Sequence, residues 1–154
     1  PVTLGIIGEV ERFEGTVIAD TVNVASRLES LTKFYGVRGL LSGASVGRLS
    51  APTIPLRFLD AVQVKGKTKT VFLYELVGRN DPLGTGKIDY NGIYEQAYQD
   101  YSHGNFKAAS KILMEYLSKV PGDKPALILQ DRCTQYLQKG APPNWQGVTI
   151  FHKK

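Results

Sequence analysis

Thr16-Val17-Ile18-Ala19-Asp20-Thr21-Val22-Asn23-Val24-Ala25-Ser26-Arg27-Leu28-Glu29-Ser30-Leu31-Thr32-Lys33 is the stretch whose reading decides the fold. It opens on β-formers and then changes period. Val24, Leu28, Leu31 and, just beyond, Tyr35 recur at spacings of four, three and four, which predicts one apolar stripe on a helix over 20–35. Asp20 suits the N-cap of that helix and Gly36 its stop. Asn23 and Arg27 stand four apart, so their side chains emerge on one face, about 100° from the apolar stripe, and both can reach one ligand.

Upstream, residues 2–8 form an apolar run that reads as a short strand, followed by a charged, Gly-ended hairpin or loop over 9–15. Downstream, 39–42 reads as a buried strand and 44–49 as a short helical turn. Residues 56–64 and 70–77 are partly alternating apolar runs separated by Lys65-Gly66-Lys67-Thr68-Lys69, a β-hairpin with a basic tip. This first region, 1–78, is α+β. At 79–88 glycines and a proline interrupt all periodicity, as in a linker. Region 89–154 is all-α in pattern, with helices predicted over 90–102, 105–120 and 124–139 before the Pro142-Pro143 breaker and an extended tail around Trp145.

With 42% hydrophobic and 21% charged residues in 154, the composition is that of a folded globular chain and not of a disordered one. No run reaches the roughly 18 apolar residues of a membrane span. The net charge of +5 comes from scattered basic residues without an RNA- or DNA-binding motif, so nucleic acid is not expected as a partner. Cys133 is the single cysteine; with no internal disulfide to form, the cytoplasm is the expected compartment, any membrane tether lying upstream. The chain begins at Pro1 inside an apolar run, which reads as a fragment.

Residues 16–33 resemble the signature of the class III adenylate and guanylate cyclases. A second block, Arg57-Phe58-Leu59-Asp60 through Val64-Lys65-Gly66-Lys67 to Tyr74-Glu75, is similar to that family's closing hairpin. The resemblance covers about residues 2–78. It implies the C-terminal portion of a ferredoxin-like cyclase domain, acting in dimers with ATP as substrate. By motif position it gives Asn23 the orientation of the ribose, Arg27 the charge developing at the α-phosphate, and Lys65 the β- and γ-phosphates. Thr16, with Val17 beside it, falls where adenylate cyclases read the adenine amino group. These assignments suit the chemistry: cyclisation builds charge on phosphoryl oxygens, which fixed donors stabilise.

Each residue also has a plainer reading. Asn23 and Arg27 could decorate a solvated helix face, Thr16 could be only a β-former, and Lys65, Lys67 and Lys69 could be a solvated hairpin tip. Asp20 is read as a helix cap and not a metal ligand. His103 and His152 lack ligand spacing, and Cys133 is read as core. The resemblance further implies two divalent metals, Mg²⁺ or Mn²⁺, held by aspartates of an N-terminal half-domain. That half is not in this chain, so the fragment alone is expected to be inactive.

In the helical region Ala97, Gly104-Asn105-Phe106, Ala109, Leu113 and Pro121 fall at the spacings of a tetratricopeptide repeat. One such unit cannot bury its own apolar faces and is expected to pack on the cyclase region or a dimer partner. Its ending, Pro142, Pro143, Trp145, Gly147 and Val148, resembles the C-terminal extension of bacterial class III cyclases. The reading is therefore part of an adenylate cyclase. Its alternatives are a guanylate cyclase, a non-catalytic association module, and a helical scaffold with a structural N-terminal region.

Overall fold

The computed structural model describes residues 4–7, 14–17, 29–49, 54–64 and 70–151. The fold is α+β, with a four-stranded mixed sheet and a set of helices packed on it. Strands β1 (Leu4–Ile7) and β2 (Glu14–Val17) pair antiparallel as a separate two-stranded sheet. The described part of helix α1 covers residues 29–35 and places Leu31 and Tyr35 in the core, two of the four stripe residues; Val24, Leu28 and the cap Asp20 lie outside the described residues. Gly36 ends α1 at φ +65°, the left-handed conformation that glycine adopts without a Cβ clash.

Strands β3 (Leu40–Ser42), β4 (Leu56–Val64) and β5 (Thr70–Leu76) follow, with the four-residue helix α2 (Gly43–Val46) after β3. The sheet order is β3-β5-β4-β6, antiparallel except for the last pair. β4 and β5 are the two arms of the expected hairpin, and the tip 65–69 lies outside the described residues. Leu40, Leu59, Val62 and Leu73 pack with Leu31 and Tyr35, so α1 closes one face of the sheet. β4 carries an irregularity between Phe58 and Asp60, where Leu59 is the extra residue; this re-aims the side chains that follow it.

The interrupted segment expected to be a linker contains a short helix, α3 (Gly84–Asp89). Its sequence has little helical propensity, and tertiary packing holds it: Lys87 points inward and is 6% exposed. The three predicted helices form as α4 (Asn91–Ser102), α5 (Phe106–Lys119) and α6 (Lys124–Lys139), joined by short turns so that successive helices lie side by side. They bury Tyr94, Ala97, Tyr101, Phe106, Ala109, Leu113, Leu129 and Cys133 in one cluster that also takes in Ala61 of β4, with Phe58 packed against it.

The extended tail becomes a strand. After the Pro142-Pro143 break, β6 (Val148–Phe151) pairs parallel with β4, from Ala61 opposite Val148 to Val64 opposite Phe151. Gly147 leads into it at φ +75°, with Ser102 so close that a Cβ there would stand 2.5 Å from its side chain. The Trp145 indole N–H donates to the Tyr101 carbonyl at 2.8 Å. Helices and final strand thus share β4 with the α+β region. No helix of the described residues is long and apolar enough to cross a membrane.

Candidate active site

Of the five residues the sequence nominates, the structure describes the backbone of two. Thr16 and Val17 lie on β2, opposite Gly5 and Leu4 of β1. Asn23, Arg27 and Lys65 lie outside the described residues. Arg27 stands two positions before the described start of α1, and Lys65 directly follows the end of β4. The structure therefore gives the elements that neighbour these positions in sequence, α1 and the β4–β5 arms, and two buried polar junctions that join those elements to the helices.

The first junction joins α1, β4 and α6. The Tyr35 hydroxyl donates to Asp60 Oδ2, and Arg132 of α6 donates to the same oxygen at 2.6 Å through Nη1. Arg132 Nη2 lies 3.4 Å from the Tyr35 hydroxyl, and Asp60 Oδ1 accepts the Ala61 N–H at 2.8 Å. Tyr35 and Asp60 are each 1% exposed. Burial first, then the adjacent Asp60 charge, pushes the Tyr35 pKa well above its ordinary value, so the hydroxyl stays a donor. Burial opposes the charge on Arg132, but Asp60 outweighs it and raises the guanidinium pKa.

The second junction holds Arg57, 1% exposed, at the start of β4. Its Nε donates to Glu75 of β5 at 2.6 Å; Nη1 and Nη2 bracket Asp123 at 2.9 and 2.7 Å; Nη1 also meets the Tyr116 hydroxyl at 2.7 Å. Lys87 of α3 adds bonds to Glu75 at 2.8 Å and Asp81 at 2.7 Å. Burial opposes the charge on Arg57, and the hydrogen bonds and charge of Asp123, with Glu75, more than offset it. For Asp81, desolvation raises the pKa, but the bond from Lys87 wins and lowers it.

The sequence reading passed over Arg57, Asp60, Asp123 and Arg132 as functional positions. The signal for the first two was their place inside the second family-like block. For Arg132 it was a position three after Leu129 and next to Cys133, at the margin of the buried stripe of α6. Cys133 itself is core, its thiol pushed up to about 11 by burial. His103 caps the end of α4 through the Gln99 carbonyl and faces solvent; His152 lies outside the described residues.

This frame has relatives in three curated proteins. The adenylate cyclase of Anabaena cylindrica is 46% identical over 77 residues, 49% of this chain and 15% of that protein. Adenylate cyclase 1 of Rhizobium meliloti (strain 1021) is 41% identical over 75 residues, 49% of this chain and 11% of that protein. The terminal-differentiation-specific adenylate cyclase of Dictyostelium discoideum is 31% identical over 138 residues, 88% of this chain and 6% of that protein. The chain carries a class III adenylate cyclase-like domain. A match of 138 residues is longer than the α+β region, so likeness to the Dictyostelium cyclase continues from the cyclase-like domain into the helices. The chain spans between 6% and 15% of the length of these relatives. No family model matches the chain, and no solved structure matches it.

The carboxylates gathered around the cyclase-like frame do not fit a divalent metal pair. Asp60 is bound by Arg132, Glu75 by Arg57 and Lys87, Asp81 by Lys87 and Asp123 by Arg57. Among the described residues no group of three or more His, Cys, Asp or Glu is placed to hold a metal. Metal ligands of a cyclase must come from other residues.

Proposed function

We propose that this chain is part of an adenylate cyclase that converts ATP to 3′,5′-cyclic AMP and pyrophosphate for intracellular signalling. The observation that carries the reading is the signature at residues 16–33, joined to likeness with three proteins named as adenylate cyclases. Residues 1–78 are taken as the C-terminal part of the catalytic domain, and 89–154 as its helical, tetratricopeptide-like extension.

In the reaction the ribose 3′-oxygen attacks the α-phosphorus and pyrophosphate leaves. Asn23 holds the ribose so that the oxygen faces phosphorus. Arg27 donates to the oxygens on which charge develops, and it acts most strongly in the transition state. Lys65 is a point charge for the β- and γ-phosphates of substrate and leaving group. Thr16, beside Val17, accepts a hydrogen bond from the adenine amino group. Mg²⁺ or Mn²⁺ would neutralise phosphate charge from a half-domain outside this chain, and the second half of the site would come from a dimer partner. The test is cyclic AMP formation by the intact protein with Mg²⁺ or Mn²⁺, ATP set against GTP. Formation of cyclic GMP alone would move the reading to guanylate cyclase; no product with either nucleotide would leave an association module.

A further inference from the structure

The Tyr35–Asp60–Arg132 junction sits where three parts of the chain meet, and each leads somewhere different. Tyr35 is in the last turn of α1, the element that follows Arg27 in sequence. Asp60 is in β4, five residues before Lys65. Arg132 comes from α6, in the helical region, 72 positions from Asp60. Asp60 is 1% exposed and the Arg132 side chain 12%, so little solvent can substitute for either partner.

The irregularity in β4 matters here. Leu59 is the extra residue, and Asp60 regains register opposite Leu73 on the face that α1 covers. Without that shift, the carboxylate would lie on the other side of the sheet from Tyr35. A buried acid placed in this way requires a cation, and the α+β region supplies a neutral hydroxyl; the cation comes from the tail.

We propose that Arg132 is a positioning residue for nucleotide cyclisation: from the helical extension it locks α1 to β4, and so sets the separation between the residues that follow β4 and those that precede α1. The inference rests on the cyclase reading given above for Arg27 and Lys65. The extension is on this view a working part of the catalytic domain. A nucleoside triphosphate held by residues that adjoin both elements in sequence is sensitive to their spacing, since displacement by about 1 Å costs on the order of 10²-fold in rate.

The other contacts between tail and sheet supply a control. Tyr116 ties the tail to β4 through Arg57 and touches neither Tyr35 nor Asp60. In the intact protein, Arg132→Gln should lower kcat for cyclic AMP formation about 10-fold or more with KM for ATP changed less than about 3-fold. Asp60→Asn should behave alike, and the double variant should be no worse than either single one. Arg132→Lys keeps the charge and one donor to Asp60, and should recover part of kcat. Tyr116→Phe, equally a lesion in tail attachment, should keep kcat within about 3-fold of wild type.

A second measurement reads the same lock without activity. Amide exchange at residues 29–35 should accelerate in Arg132→Gln and stay unchanged in Tyr116→Phe. An active wild type in which Arg132→Gln keeps full kcat, or in which Tyr116→Phe loses as much, would overturn the proposal. Unchanged exchange at 29–35 in Arg132→Gln would overturn it too, whatever the activity. An intact wild type that makes no cyclic AMP would remove the catalytic role assigned to Arg132 by removing the cyclase reading itself, and the exchange data would then stand as a record of the lock alone.

Discussion

Replacing Asp123 by alanine isolates what the second polar junction contributes. Arg57 makes four hydrogen bonds, two of them to Asp123, and both side chains are fully shielded from solvent. Asp123 precedes α6 in the N-cap position but makes no side-chain capping bond, so loss of a cap does not enter the result. After the change, Arg57 retains Glu75 and Tyr116, and Glu75 is already shared with Lys87. Breaking one side of a buried ion pair costs about 3–5 kcal/mol, because the remaining charge keeps its desolvation penalty. Against a total stability of roughly 5–15 kcal/mol, that is a large fraction. It corresponds to a fall in Tm of about 6 to 20 °C for a chain of this size. Urea unfolding followed by Trp145 fluorescence and far-ultraviolet circular dichroism measures it, Trp145 being the single tryptophan. A loss below about 1 kcal/mol would refute the reasoning, and would mean that water or Glu75 takes over the vacated donors. The exposed Glu29–Lys33 pair is the opposite case: its removal should leave the urea midpoint where it was.

Other outcomes follow from the same contacts. Tyr35, Tyr94, Tyr98, Tyr101 and Tyr116 all have pKa values raised by burial, so their stabilisation is complete below pH about 10 and is lost as pH rises further, when the unfolded chain ionises and the folded one does not. The urea midpoint should hold up to about pH 9 and fall above about pH 10 together with a cooperative rise in tyrosinate absorbance; independent titration of these five tyrosines near pH 10 in the folded chain would contradict this. With its thiol pushed up to about 11, Cys133 should resist iodoacetamide at pH 8 at a rate set by unfolding, and reaction as fast as a free thiol would place it at the surface. A chain ending at Gly78 loses Asp123, Tyr116 and Arg132 from around Arg57 and Asp60 and uncovers Ala61, so it should aggregate or unfold without cooperativity. Solubility and stability equal to the whole chain would make the helices an independent appendage.

Local signals carried much of this fold into view. Leu31 and Tyr35 lie at helical spacing and are buried, Gly36 ends its helix, and the three later helices begin and end within about two residues of their patterned spans, the ordinary disagreement over helix ends. What escaped depends on distant partners. Val148-Thr149-Ile150-Phe151 is a four-residue run after a Pro-Pro break, and only β4, more than 80 positions earlier, makes it a strand. Arg57, Glu75 and Asp123, and likewise Asp60 and Arg132, are residue types mostly found in solvent, and no local pattern says that Arg57 meets Glu75 and Asp123, and Arg132 meets Asp60, inside the protein. α3 holds together through Lys87 and its two carboxylates and not through propensity. For the candidate site, Asn23, Arg27 and Lys65 were legible through motif position, a statement about sequence. The structure contributes the elements beside them and the junctions that hold those elements.

The most direct test of the central claim is the rate of cyclic AMP formation from ATP by the intact protein with Mg²⁺ or Mn²⁺, compared with Arg27→Ala and with the present 154-residue chain alone. The account predicts measurable product from the intact protein, a kcat lowered roughly 10²-fold or more in Arg27→Ala with KM little changed, and none above background from the isolated chain. An intact protein that makes no cyclic AMP, or an Arg27→Ala variant with wild-type kcat, would contradict it.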